Sequence, residues 1–87
     1  MLKFKVQRLQ MQVHVDTYAN LRQYSPTGYG RFELTLVSDA TVKSVFKALN
    51  IPGNVKTVVL VNGRHATENT RLKAGDKITL FPPMEGG

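Results

Sequence analysis

The stretch TVVLVNGRHATENTRLKAGDKITLF, Thr57 to Phe81, decides how this chain folds. It begins with an unbroken apolar run, Val58 to Val61, which Asn62-Gly63 closes. Asn-Gly accepts the positive φ angles of a two-residue hairpin turn, so a short return strand around Arg64 to Thr67 is predicted to pair with the run. Leu72 then reads as a core anchor, Gly75-Asp76 as a turn, and Lys77 to Phe81 as a final strand. In that strand Ile78 and Leu80 share one parity, Thr79 and Phe81 the other. One face is expected to meet a core and the other to stay open.

Upstream, the apolar spacing is helical. In TVKSVFKALN, Thr41 to Asn50, the apolar positions Val42, Val45, Phe46 and Leu49 fall at i, i+3, i+4 and i+7, one stripe of a helix with Lys43 and Lys47 outside it. Thr41 is the expected N-cap, and Asn50, Pro52 and Gly53 supply the stop. Further upstream the period is two. Met11, Val13 and Val15 oppose Gln12, His14 and Asp16 in a half-buried strand, and Phe32, Leu34 and Leu36 oppose Glu33, Thr35 and Val37 in a second. Between them NLRQY supplies a helical turn, and SPTGYG, with Pro26, Gly28 and Gly30, reads as a loop. The order is strand, strand, helix, strand, short strand, strand. Two hairpins flank one helix that can cover one face of a mixed sheet, an α+β layout of the β-grasp kind.

Bulk composition narrows what such a domain does. The chain has 87 residues and is 41% hydrophobic, enough for one domain over residues 1–87 and too few for two. No repeat, low-complexity segment or internal linker interrupts it. There is no cysteine, which excludes disulfides, thiolate metal sites and a cysteine nucleophile. No apolar run is long enough to span a membrane, and the N-terminal MLKFKVQRLQ lacks the continuous apolar stretch of a signal peptide. A cytoplasmic protein is expected. The net charge of +6 comes from twelve scattered Lys and Arg residues. No cluster or aromatic RNA-binding motif accompanies them, which argues against nucleic acid and for a solvated surface or an acidic partner.

The end of the chain, LFPPMEGG, has a stiff part, Pro82 and Pro83, and a part without side chains, Gly86 and Gly87. Together with Val61-Asn62-Gly63, Leu72 and Gly75-Asp76, this pattern resembles the ubiquitin-like sulfur carriers of the MoaD/ThiS family. The segment YANLRQYSP, Tyr18 to Pro26, is more similar to the small subunit of molybdopterin synthase than to the shorter thiamine carrier. The resemblance covers roughly Met11 to Gly87. Residues 1–10 fall outside it, as an extension of the first strand or an upstream start before Met11.

The resemblance implies a β-grasp carrier with no catalytic constellation of its own. An E1-like (MoeB/ThiF-type) adenylating enzyme uses ATP to activate the Gly87 carboxylate. A sulfur donor protein then supplies sulfur, and the resulting thiocarboxylate serves a MoaE-type large subunit of molybdopterin synthase. No cofactor is bound stably; the thiocarboxylate on Gly87 is the functional form. The tail suits this chemistry. Gly86 and Gly87 have no Cβ and can thread a narrow channel. Pro82 and Pro83 fix φ and reduce the entropy lost on threading. Met84 completes the tail over residues 82–87, and Glu85 can pair with a basic group at a channel mouth. By the ubiquitin-like layout, Leu60 is placed on the open face beside Phe81 as a partner-binding pair, since a continuous apolar patch marks a binding surface.

Other sequence candidates are weaker. His14 and His65 lack neighbouring ligands at metal-site spacing. Asp16, Asp39 and Asp76 read as strand-end and turn residues rather than an acid/base pair. Gly28-Tyr29-Gly30 is too short a signal for a phosphate cradle. The pattern leaves the acceptor of the sulfur open. It is molybdopterin or its tungsten counterpart, thiamine or tRNA, or the diglycine is joined to lysines as in small archaeal modifiers.

Overall fold

The computed structural model describes residues 9–84. Within them, strands β1 (Gln10–Thr17), β2 (Arg31–Val37), β3 (Val58–Val61), β4 (Arg64–His65) and β5 (Lys77–Phe81) form one mixed sheet in the order β2-β1-β5-β3-β4. Helix α1 (Val42–Ala48) follows β2. The central pair, β1 and β5, is parallel. The flanking pairs β1/β2, β3/β5 and β3/β4 are antiparallel. This is the expected α+β β-grasp.

The core lies between α1 and one face of the sheet. Period two in β1 and β5 sends Val13, Val15, Ile78 and Leu80 inward, and period 3.6 in α1 sends Val42 and Val45 to meet them; all six are fully buried. Each such side chain contributes about 1.5–3 kcal/mol of transfer free energy. The remaining stripe residues differ: Leu49 is buried, whereas Phe46 is only half-buried.

Both helix ends are closed locally. The Thr41 backbone N–H donates to Ser44 Oγ at 3.1 Å. At the other end Asn50 takes φ 58, its N–H donates to the Lys47 carbonyl at 3.1 Å, and the Ile51 N–H donates to the Phe46 carbonyl at 3.0 Å. That is a Schellman stop, with Asn in the left-handed position more often given to glycine.

The start of the fold is earlier than the family resemblance placed it. Gln10 pairs with Val37 in the sheet, and the Leu9 carbonyl accepts the Ser38 N–H at 2.8 Å. Gln10 therefore opens the first strand and Leu9 adds one bond ahead of it; residues 1–8 lie outside the described residues.

The connection from β1 to β2 is strapped down. Residues Ala19–Tyr24 form a 3₁₀ helix anchored by the fully buried Leu21. The Tyr18 N–H donates to the Leu80 carbonyl at 3.0 Å. The Thr17 N–H and hydroxyl both donate to the Gly30 carbonyl, at 2.6 and 3.1 Å. A Cβ on Gly30 would meet Arg22 Nε and the Thr17 carbonyl oxygen at 3.0 Å each, so a side chain there would have to push Arg22 and the Thr17 backbone aside. This strap ties the segment after β1 to the end of β5, where the tail departs.

Candidate functional site

The antiparallel register of β3 and β5 builds one half of the open sheet face. Val58 faces Phe81 and Leu60 faces Thr79. The alternate residues Val59, Ile78 and Leu80 are buried under α1. Val58, Leu60, Thr79 and Phe81 are therefore left together on the other face, each half-buried. Directly opposed side chains have Cβ atoms about 5 Å apart, diagonal ones about 7–8 Å. The direct neighbour of Phe81 is thus Val58. Leu60 lies diagonally, with His65 of β4 opposite it on its other side. Sequence reading paired Phe81 with Leu60 and passed over Val58, although Val58 shares the parity of Leu60.

Tyr18 was missed as well. Its backbone is extended, φ −125 and ψ 152, so it continues the alternation of β1 one step beyond the buried Thr17. That puts it on the face of Phe81, at the level where its N–H holds the Leu80 carbonyl. It is 47% exposed.

The root of the tail starts from this patch. Phe81 is followed by Pro82 and Pro83, both half-buried, and by Met84, which is 94% exposed. Glu85, Gly86 and Gly87 lie outside the described residues.

The other half of the open face is charged. His14 Nδ1 lies 3.7 Å from Glu33 Oε1. Asp16 Oδ2 lies 3.5 Å from Lys77 Nζ and 3.7 Å from Arg31 Nε. The Asp16 side chain is only 7% exposed, and Oδ2 accepts no hydrogen bond. Asp16 is thus no ordinary strand-end residue. It is a buried carboxylate held by two cations from the strands on either side, and such an ion is tolerated only beside countercharge. Period two placed it on the outer face; nothing in its spacing announced Arg31 and Lys77 around it.

The remaining aspartates differ. Asp39 is exposed in the turn after β2. Asp76 accepts the Asn62 side-chain N–H at 2.9 Å and the Lys73 backbone N–H at 2.7 Å. His14 and His65 are both exposed. Among the described residues, no three His, Asp or Glu side chains converge on a metal position.

The ThiS family profile matches residues 16–87, so it begins within β1 rather than at Met11. No curated protein matches the sequence. Among solved structures, the Haloferax volcanii HVO 2177 protein is similar with a TM-score of 0.77 and 25% identity, over 98% of this chain and 94% of that one. SAMP1 from Haloferax volcanii is 26% identical with a TM-score of 0.68, over 87% of this chain and 99% of that one. A complex of subunits 1 and 2 of the molybdopterin-converting factor from Helicobacter pylori contains a chain 25% identical, with a TM-score of 0.57, over 88% of this chain and all of that one. With the family match spanning most of the sequence, open face and tail included, the chain belongs to the ThiS family, among the ubiquitin-like sulfur carriers and modifiers.

Proposed function

We propose that this chain is a sulfur carrier for molybdopterin or tungsten-pterin synthesis, acting as the small subunit of the synthase. The observation that carries the reading is the family match running through residue 87, so that it takes in Phe81, the two prolines and Gly86-Gly87. In this reading the Gly87 carboxylate attacks the α-phosphate of ATP on an E1-like partner, and pyrophosphate leaves. The outer sulfur of a donor-protein persulfide then displaces AMP to give an acyl disulfide. A thiol attacks the donor's sulfur, so that the S–S bond breaks and leaves a thiocarboxylate on Gly87 and a disulfide on the donor side. Delivery of that sulfur to the pterin precursor returns the carboxylate. The chain itself contributes the tail and the docking face, while the catalytic groups sit on its partners.

The Helicobacter pylori relative, solved as subunit 1 with subunit 2, supports a MoaE-type large subunit as the second partner. Val58, Leu60 and Phe81 are the anchors, and Tyr18 flanks the point where the tail departs. Both partners use the tail, so they take turns on this face. Among the described residues no helix is long and apolar enough to cross a membrane, and this reading places the chain in the cytoplasm with its ATP-using partner.

A second reading has its own support in the likeness to SAMP1, a small archaeal modifier protein. There Gly87 would end in an isopeptide bond to lysine. The deciding experiment mixes thiocarboxylated protein with a pterin precursor and a candidate large subunit. A dithiolene product is expected. Absence of product, with lysine conjugates accumulating in the native cell, replaces the carrier reading with the modifier reading.

A further inference from the structure

We infer that the groove between α1 and the β3–β4 hairpin is a second docking surface, built for an extended acidic peptide segment with an apolar centre. The groove encloses about 770 Å³. Val42, Phe46, Ile51, Val59 and Ala66 line its apolar part. Phe46 belongs to the apolar stripe of α1 yet stays half-buried, because it borders this opening instead of the sheet core. An aromatic ring left partly uncovered in a concave site is the kind of surface that a partner's apolar side chain covers.

The rim identifies the occupant. Lys43 and Lys47, one helical turn apart and both exposed, stand along the α1 wall. The opposite wall carries one carboxylate, Glu68, whose backbone carbonyl accepts the Lys43 N–H at 2.9 Å. The helix wall is therefore positive, on a chain of net charge +6. Carboxylates flanking an apolar centre match it, and lysines in the same places meet repulsion.

The backbone favours an extended occupant. The return strand pairs with Leu60 and Val61 and adds one bond, from the Ala66 N–H to the Val59 carbonyl at 3.0 Å. It then turns away, with the Thr70 N–H on the Thr67 carbonyl at 3.1 Å. Beyond that point the groove follows the β3 edge toward Thr57, where a peptide can lie alongside.

Val59 points into the groove side of the sheet, while Val58 and Leu60 point to the open face. The two surfaces are back to back. An acidic segment held against α1 leaves Phe81 and the tail free for a second protein, whatever chemistry the tail performs.

The test uses the full chain labelled with ¹⁵N and a short synthetic peptide with a Val-Ile-Leu centre flanked by glutamates. Saturable amide shifts are expected at Lys43, Phe46, Ile51, Val59 and Ala66, with Thr79 and Phe81 on β5 still. The Lys43→Glu/Lys47→Glu variant, altered only at exposed positions, should bind about ten-fold more weakly, as expected for reversing two rim charges. Phe81→Ala should bind the peptide unchanged. Shifts centred on Tyr18, Thr79 and Phe81, no saturation, or equal binding of a lysine-flanked peptide with the same centre would each overturn the inference.

Discussion

Asn62 and Asp76 lock the two turns of the C-terminal half together. The Asn62 carboxamide donates to Asp76 Oδ1 at 2.9 Å, and its oxygen accepts the Lys77 backbone N–H at 2.9 Å. Asn62 also takes φ 52, followed by Gly63 at φ 83, so one residue shapes the hairpin and ties it to the start of β5. Asn62→Ala removes two hydrogen bonds, each worth about 0.5–1.5 kcal/mol, and leaves an alanine in a left-handed conformation that costs a further ~1 kcal/mol. Urea unfolding is expected to show a loss of about 2–4 kcal/mol. Asp76→Ala should be partly non-additive with it, since they share a contact. Independent, small effects of both changes would show that the turns hold separately.

Phe81 and Val58 are expected to matter more for partners than for folding. Truncating an aromatic anchor at an interface costs about 2 kcal/mol or more, roughly thirty-fold in affinity. In the carrier reading proposed above, Phe81→Ala should show that loss toward the adenylating enzyme and the large subunit alike, with Val58→Ala weaker in the same direction. Because Phe81 is half-buried, the loss of stability should be nearer 1 kcal/mol, below the 3–5 kcal/mol of a core phenylalanine. Calorimetric binding and thermal melting, run side by side, separate the two. Extensive unfolding with intact binding would assign Phe81 to the core.

Removing Gly87 tests the tail. The buried side of β5 is complete at Leu80, so the variant should melt like the parent chain. Incubation with ATP, an activating enzyme and a sulfur donor should raise the intact mass of the parent by one oxygen-to-sulfur exchange and leave the variant unchanged. The same mass increase in the deletion variant would move the reactive group elsewhere.

Asp16 should behave as a buried ion with two guarantors. Lys77 and Arg31 are 57% and 80% exposed, so removing either alone leaves a countercharge and should cost only about 1 kcal/mol. Removing both, as Lys77→Met with Arg31→Met, strands the carboxylate and should cost more than the sum, in the range of about 3–5 kcal/mol. Adding Asp16→Asn to the pair should recover much of that loss. A strictly additive double variant with no rescue would show that solvent already screens the Asp16 carboxylate.

Much of this protein was legible in the residues themselves. The switch from period two to period 3.6 and back located the strands and the helix, because side-chain direction repeats with backbone geometry. Asn62-Gly63 located a hairpin because few residue pairs accept its φ angles. Parity separated Ile78 and Leu80 from Thr79 and Phe81, but which pair is buried was decided by the packing of the sheet against α1. Tertiary structure decided what depends on neighbours from distant strands. Whether Phe81 faces Val58 or Leu60 is a matter of register between β3 and β5, which local pattern leaves free. Whether Asp16 is a solvated strand residue or a buried ion depends on Arg31 and Lys77, brought beside it from the two flanking strands. Phe46 carried the same helical signal as Val45, yet one borders an open groove and the other fills the core. Period assigns a residue to a face; only packing decides what covers that face.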